Sequence, residues 1–107
     1  MAGRLPGVVV EVAVFEIKPG EEDEFAVAYH RVRREVAGTP GCLSVRLTRG
    51  VESPSRFVLL VEWESVDAHL VGFRGTERFT RWRAGIGSFF AAPPQVEHFT
   101  DVGTPAR

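Results

Sequence analysis

The amino-acid sequence predicts an α+β fold in which one four-stranded antiparallel sheet carries helices on one of its faces. Four segments of the chain are rich in β-branched and apolar residues. A long amphipathic segment separates the first two of them, and two short helical segments separate the last two. Glycine and proline residues lie at the borders between the segments, where turns are expected. The resulting order, β-α-β-β-α-β, is that of the ferredoxin-like split βαβ fold.

The first strand is predicted over residues 8–17, where nearly every residue is β-branched or apolar. A strand with one wet face would alternate strictly between apolar and polar side chains, so this segment predicts that both of its faces are covered. Val12 and the other even-numbered valines share one face, and Ala13, Phe15 and Ile17 share the other. Helices can cover one of these faces. The other would be a large apolar patch on a monomer, which predicts a homodimer formed through the sheet face.

The long helix is predicted over residues 21–36, because Phe25, Tyr29 and Val32 recur on one helical face. Acidic residues lie at its beginning and arginines near its end, and both sets of charges suit the helix dipole. Gly38 follows the last periodic residue, where a glycine commonly ends a helix. These patterns indicate a helix with one face packed on the sheet and the other in water.

Two strands joined by a hairpin loop are predicted next. The segment Cys42–Arg49 alternates between apolar and polar side chains, which is typical of a half-buried strand. Residues 50–55, which contain a glycine and a proline, form the loop. The third strand, over residues 57–64, is predicted to run antiparallel to the second.

Two short helices and a last strand complete the predicted fold. Ser65 can cap a first short helix over residues 66–73, and Thr76 can cap a second one after a break at Gly75. The last strand is predicted over residues 95–102, after two prolines that force an extended path. Apolar residues at helical spacing mark the inner face of the second short helix: Phe79, Trp82 and Ile86.

The composition sets broad limits on the kind of protein. A chain of 107 residues predicts a single domain, 1–107, with its core at about residues 8–102. The net charge is −1 and like charges do not cluster, so nucleic acid is not an expected partner. One cysteine, Cys42, allows neither an internal disulfide nor a cysteine metal cluster. Neither a signal-peptide pattern nor an apolar stretch of about 20 residues occurs, so a cytoplasmic protein without membrane segments is expected.

Residues 57–83 hold most of the side chains that can do chemistry. His69 is the natural base among them, because an imidazole titrates near neutrality. The helical pattern predicts that His69 lies with Val66, Leu70 and Phe73 on the inward side of the first short helix. A histidine on an apolar face can equally be a hydrogen-bonded core residue.

Other side chains fit a pocket for a small molecule. Trp63 and Trp82 can supply flat walls for an aromatic ring, and Arg83 can hold an anion. Core packing of the tryptophans and a solvated Arg83 are the alternative interpretations. His98, on the last strand, is expected to have a structural role and to pair with Glu97 or across the dimer. The three histidines lack metal-ligand spacing, so no metal site is expected.

Five short pieces of the sequence occur in a recognisable order along residues 8–102: IKPG, PGCLSV, VEW followed by ES and AH, GF, and PPQVEHF. With these pieces the chain resembles the antibiotic biosynthesis monooxygenase family of dimeric α/β barrels. Members of this family include oxygenases that oxidise polycyclic phenols with O2 and without metal or flavin. Other members degrade haem.

The haem-degrading branch has an Asn, a Trp and a His at positions that align here with Ala13, Gly72 and Trp82. None of the three residues matches. The resemblance therefore does not imply haem degradation.

The phenol-oxidising branch has an Asn, a Trp, a Tyr and an Arg at positions that align here with Leu59, Trp63, His69 and Arg83. The Trp and the Arg match, the Asn is replaced by leucine, and the Tyr is replaced by histidine. The resemblance thus implies a catalytic group of His69, Trp63 and Arg83, with a changed acid–base residue.

The reaction that the resemblance implies is an oxygenation without cofactor. Deprotonation of an aromatic, phenolic or quinol-type metabolite gives an anion that can pass one electron to O2, while the protein stabilises the anion and excludes water. The expected partners are a small aromatic molecule and O2. The alternative is a non-catalytic dimeric barrel that binds a small hydrophobic metabolite. The side chains expected to bind the substrate are Trp82, Phe73, Tyr29, Leu59, Arg74 and Phe90.

Overall fold

The computed structural model of the chain describes residues 7–103. The predicted single domain also includes residues 1–6 and 104–107, which lie outside the described residues. No helix in the described part of the chain has the length and apolar character needed to cross a membrane. The elements follow the predicted order: β1 (Val9–Glu16), α1 (Glu22–Ala37), β2 (Cys42–Arg49), β3 (Arg56–Trp63), α2 (Val66–Leu70), α3 (Glu77–Ile86), a 3₁₀ turn (Gly87–Phe89) and β4 (Gln95–Phe99).

The four strands form one antiparallel sheet in the order β2-β3-β1-β4. This arrangement confirms the predicted ferredoxin-like α+β fold. Ala13 of β1 lies opposite Leu59 of β3 and opposite Val96 of β4. Strands β1 and β3 are therefore central, and β4 forms one edge of the described sheet.

Two elements end three residues earlier than the sequence predicted. β4 ends at Phe99 instead of residue 102, because Phe99 already pairs with Val10, the second residue of β1. α2 ends at Leu70 instead of residue 73. After it, the amide of Arg74 donates to the carbonyl of His69, five residues earlier, at 2.8 Å, so the backbone has left the four-residue spacing of an α-helix.

The two faces of the sheet are buried to different extents. Odd-numbered side chains of β1 and β3, among them Phe15 and Trp63, are buried in one core with residues of α1 and α3. Even-numbered side chains such as Val10, Val12 and Leu60 are only partly buried. The chain by itself therefore covers one face of β1, and the other face is the one that the sequence predicted to be covered by a second copy of the chain.

Three glycines affect the packing or the ends of the elements around α1. A Cβ atom at Gly85 of α3 would lie 2.5 Å from Cγ1 of Val32 on α1, so the glycine allows these two helices to approach closely. Gly41 leads into β2 with φ of +91°, a conformation that favours glycine. Gly38 follows α1 with φ of −85°, so α1 ends without the left-handed glycine cap. The contact at Gly85 fixes α3, the helix that carries the predicted site residues Trp82 and Arg83, against α1.

Candidate active site

A cavity of about 300 Å³ lies between the helix-covered face of the sheet and the segment from α2 to α3. Small-molecule sites commonly have volumes of about 300–1,000 Å³, so this cavity is at the lower end of that range. Most of its lining residues are apolar: Ala13, Phe15, Val36, Leu59, Phe73, Phe79, Trp82, Phe90, Pro94 and Val96. Its polar side chains are Glu11, His69, Arg74 and Arg83.

The carboxyl group of Glu11 is held in the wall by a hydrogen bond from β3. Glu11 lies on the helix-covered face of β1 and is only 6% exposed. Its partner in the β1–β3 register is Val61, so Trp63, two residues further along, projects from the same face. The indole Nε1–H of Trp63 donates to Oε1 of Glu11 at 2.9 Å. A buried carboxylate without such a donor would be strongly destabilising, so this bond explains how Glu11 is accommodated.

His69 is brought over Trp63 by the cap of α2. β3 ends at Trp63, and Ser65, two residues later, is the N-cap of α2. The hydroxyl of Ser65 accepts a hydrogen bond from the amide of Ala68 at 3.0 Å. His69, one turn into the helix, then stacks on the indole of Trp63 with ring centroids 5.2 Å apart and planes inclined by 16°. The imidazole is 3% exposed. The local sequence therefore fixes both the position and the ring plane of His69.

The two ring nitrogens of His69 contact different partners. Nε2 lies 3.4 Å from Oε1 of Glu11, and Nδ1 lies 2.8 Å from Nε2 of His98. Glu11 and His98 are directly opposite each other in the β1–β4 register, so both project from the same face of the sheet. We call this connected set the Glu11–His69–His98 chain. Within residues 7–103, no group of three His, Cys, Asp or Glu side chains is placed to hold a metal ion.

Burial changes the pKa of both groups at the contact between Glu11 and His69. It raises the pKa of Glu11, against the opposing effects of the Trp63 hydrogen bond and the positive charge of Arg74. Burial, with smaller contributions from His98 and Arg74, lowers the pKa of His69 to about 4. His69 is therefore a neutral imidazole at pH 7, and its contact with Glu11 is not an ion pair of two full charges.

Two arginines place positive charge beside the cavity. The guanidinium carbon of Arg74 lies 5.3 Å from the ring centroid of Phe79. That of Arg83 lies 6.0 Å from the same ring and 5.6 Å from the ring of Phe90. Cation–π contacts of this kind orient a guanidinium group while one side of it stays in water. We call Arg74 and Arg83, which are otherwise exposed, the arginine rim.

The structure brings most of the predicted site residues to this cavity and leaves two outside its lining. Trp63 lies behind His69, as the stacking partner that also bonds to Glu11. Tyr29 packs edge-on against Trp82, with ring centroids 6.0 Å apart, and is not among the lining residues. The predicted residues that line the cavity are His69, Arg83, Trp82, Phe73, Leu59, Arg74 and Phe90.

The predicted inner face of the first short helix is partly wrong. His69 and Phe73 are both 3% exposed, whereas Val66 and Leu70 are 37% and 41% exposed. The reason is the early end of α2, because a helix of five residues cannot maintain one inward stripe over eight positions. Phe73 reaches the core from the irregular turn that follows the helix.

Sequence reasoning missed Glu11, and Glu97, one of the two partners predicted for His98, is wrong. Glu11 is the single charged residue between Val8 and Phe15, and strand periodicity places it on the face of Ala13. That signal could have identified a polar group facing the helices. His98 cannot pair with the adjacent Glu97, because consecutive strand residues point to opposite faces, and it bonds to His69 instead.

The sequence and the fold match one protein family. Residues 8–85 match the family model for antibiotic biosynthesis monooxygenase. The uncharacterised protein YczJ of Bacillus subtilis is 37% identical over 95 residues, which cover 89% of this chain and 100% of that protein. The chain therefore belongs to the antibiotic biosynthesis monooxygenase family.

Solved structures support the same assignment. A candidate antibiotic biosynthesis monooxygenase from Bordetella bronchiseptica is 40% identical with a TM-score of 0.86, and the match covers 90% of this chain and 98% of that one. A second candidate from Caulobacter crescentus is 30% identical with a TM-score of 0.78, over 91% of this chain and 92% of that one. The monooxygenase ActVA-Orf6 of Streptomyces coelicolor, solved with nanaomycin D, has a TM-score of 0.76 over 92% of this chain and 91% of that one. At 23% identity, this last match establishes the common fold alone.

Proposed function

We propose that this chain is a cofactor-independent monooxygenase that oxidises an electron-rich aromatic, phenolic or quinol-type molecule with O2. The observation that carries the proposal is the Glu11–His69–His98 chain, a set of titratable groups beside a cavity that has both apolar and polar walls. Perturbed pKa values in a cleft are typical of active sites. Family membership supports the reaction class. The nanaomycin D bound by one structural relative shows that a protein of this fold can hold a small molecule, which agrees with the cavity seen here.

The simplest reaction of this class converts a CH2 group between aromatic rings into a carbonyl. Removal of one proton gives a resonance-stabilised anion, which passes one electron to O2. Combination of the two radicals forms a C–O bond, and uptake of a proton gives the hydroperoxide. Loss of water then breaks the O–O bond and the remaining C–H bond. One CH2 group and one O2 thus give one carbonyl and one water, and the substrate supplies all four electrons.

The side chains of the site can divide this work between them. The Glu11–His69 pair takes the substrate proton, because the carboxylate form of Glu11 and a neutral imidazole are both proton acceptors, and the raised pKa of Glu11 makes its carboxylate a stronger base. The arginine rim stabilises the anion that results. Trp63 positions both acceptors, through its hydrogen bond to Glu11 and its stacking on His69. Trp82 and Phe73 flank the substrate ring and exclude water.

The proposed assembly is a homodimer formed through the open face of the sheet. Val10, Val12 and Leu60 on this face are only partly buried, and Phe99 is 47% exposed. An apolar stripe of this kind on a sheet is unusual on the surface of a monomer. A second copy of the chain would cover it, as in the dimeric barrels that the family resemblance implies.

Oxygen uptake by metal-stripped protein with anthrone tests the function. Anthrone carries the required CH2 group between two aromatic rings, and its oxidation gives anthraquinone. We expect protein-dependent oxygen uptake above the uncatalysed rate, with one O2 consumed per anthraquinone formed. His69→Ala should lower turnover by ~10²–10⁴-fold. His30→Ala, a change of an exposed histidine on α1, is the matched control and should keep full turnover.

Two outcomes would contradict this assignment. Undiminished turnover by the folded His69→Ala protein would remove His69 from the reaction. Binding of anthrone without any oxygen uptake would instead support the non-catalytic barrel that binds a small hydrophobic metabolite.

A further inference from the structure

We propose that Glu11 is the group that accepts the substrate proton, and that His69 and His98 conduct this proton to solvent at the edge of the sheet. This inference rests on the proposed function, because it assigns a path to the proton that the reaction releases. The path consists of the Glu11–His69–His98 chain and needs no movement of the backbone. It gives His98 a part in the reaction, whereas the sequence indicated only a structural residue.

The burial of the three groups gives the path a direction. Glu11 lines the cavity, and both Glu11 and His69 are almost fully buried. His98 is half-buried and lies on β4, an edge strand of the described sheet. A proton that leaves the cavity through His98 therefore arrives at the surface of the molecule without crossing the apolar core.

The hydrogen bonds of a neutral imidazole couple the state of Glu11 to that of His98. A neutral imidazole carries one N–H, so one ring nitrogen donates and the other accepts. When Glu11 is ionised, His69 carries its proton on Nε2, facing Oε1, and Nδ1 accepts from His98. When Glu11 is protonated, its O–H donates to Nε2 of His69, and Nδ1–H donates to His98. The two arrangements differ by one proton and by the ring nitrogens of His69 and His98 that carry a proton. After Glu11 has taken the substrate proton, both rings must therefore change tautomer before the relay begins.

Passage from the second arrangement to the first is a relay of three short steps. The O–H proton of Glu11 moves to Nε2 of His69, the Nδ1 proton of His69 moves to Nε2 of His98, and the Nδ1 proton of His98 moves to water. Each group loses one proton and gains one, except Glu11, which ends ionised, and water, which ends protonated. His69 carries a single proton before and after transfer, which agrees with the burial that lowers its pKa to about 4.

The surrounding charges favour the same sequence of events. Arg74 lies close enough to Glu11 and His69 to stabilise the carboxylate and to oppose an imidazolium. The indole of Trp63 donates to Oε1 of Glu11, which favours the ionised form of the carboxyl group. The contact of 3.4 Å between Glu11 and His69 is longer than a tight hydrogen bond, as catalytic contacts often are before a substrate is bound.

Nitrogen-15 NMR of the histidine rings tests the relay in the wild-type protein, without any substrate. Chemical shifts and long-range couplings identify which ring nitrogen of His69 carries the proton. We expect His69 to stay neutral and to move its proton from Nε2 to Nδ1 as the pH falls through the titration of Glu11. The same tautomer on both sides of that titration would overturn the relay, as would a His69 that becomes imidazolium in this range.

Variants provide the matched control and connect the relay to turnover. In Glu11→Gln, which keeps an acceptor for the Trp63 indole, the tautomer of His69 should not change with pH. With anthrone as the probe, Glu11→Gln should lower kcat by ~10²–10⁴-fold. His98→Ala should lower kcat more than it changes KM, and added imidazole should restore part of the loss. A folded His98→Ala protein with wild-type kcat would overturn the role of His98.

The two readouts separate the relay from the proposed function. A tautomer switch without anthrone oxidation would support the relay and count against the proposed function. Anthrone oxidation without a switch would support the function and overturn the relay.

Discussion

The pH dependence of folding stability provides a direct test of the neutral, buried His69. Its pKa is lowered from 6.5 to about 4 in the folded protein. Because the folded-state pKa is the lower of the two, the unfolded chain binds the proton first as the pH falls, and the folded state loses stability between about pH 7 and pH 4. The difference of about 2.5 pH units corresponds to about 3 kcal/mol of unfolding free energy, at 1.36 kcal/mol per unit. About 1 kcal/mol of this should already be lost at pH 5.5.

The measurement compares urea unfolding of the wild type and of His69→Gln from pH 8 to pH 5, followed by tryptophan fluorescence at one fixed protein concentration. His69→Gln should lower stability by a constant offset, because the stacking on Trp63 is lost. The gap between the two proteins should then narrow as the pH falls. Glu11 has the opposite effect, because its raised pKa makes the folded state more stable as the pH falls. Both proteins contain Glu11, so the comparison between them isolates His69. The exposed His30, changed to Gln, controls for the loss of any histidine.

Parallel stability curves for the wild type and His69→Gln would refute the reasoning. Such a result would mean that His69 titrates in the folded protein as it does in the unfolded chain. The imidazole would then be accessible to water or paired with an ionised Glu11, and the neutral tautomers on which the relay depends would not exist below pH 6.5.

Further changes test the assembly, the core and the rim. By light scattering, the wild type should have the mass of two chains, and a mass near 11.8 kDa would contradict the dimer. The Val12→Asp protein should dissociate or unfold, because a buried unpaired charge is strongly destabilising. Phe73→Ala should lower the free energy of unfolding by ~3–5 kcal/mol in urea titrations, because Phe73 is 3% exposed. Gly85→Ala should lower it by ~1–3 kcal/mol, because its Cβ would overlap Val32. Arg83→Met should weaken calorimetric binding of an anionic phenol but not of its neutral methyl ether, and equal losses would exclude a charge-based role.

The sequence was sufficient for the fold because the determining patterns are local. The alternation in β2 and the helical spacing of Phe25 and Tyr29 in α1 each depend on a few neighbouring residues. The end of β4 was predicted three residues too late, because it depends on Val10, which pairs with Phe99 from the far end of the chain. The end of α2 depends on a backbone turn that side-chain periodicity does not encode.

The candidate site could be predicted only in part, for a related reason. Residues 57–83 lie on consecutive elements, so their approach to one cavity followed from the order of those elements. Glu11 and its hydrogen-bond partner Trp63 are 52 residues apart in the sequence, and His69 and His98 are 29 residues apart. Both contacts require the register of β1 with its two neighbouring strands, which no local pattern determines. A charged residue in an otherwise apolar strand was the one local sign of the buried carboxyl group.

The energetics of the Glu11–His69 pair argue for a functional origin of the cluster. Burial opposes the charged form of each group, so each group makes the folded state less stable over part of the pH range. The indole of Trp63 needs only one acceptor, and a neutral amide at position 11 would satisfy it without that penalty. Stability alone therefore does not account for a carboxyl group here, or for a histidine stacked on Trp63 with both nitrogens engaged. Proton transfer does account for them, because it requires a group that can ionise inside the cavity and a neutral ring that can exchange its proton between two partners.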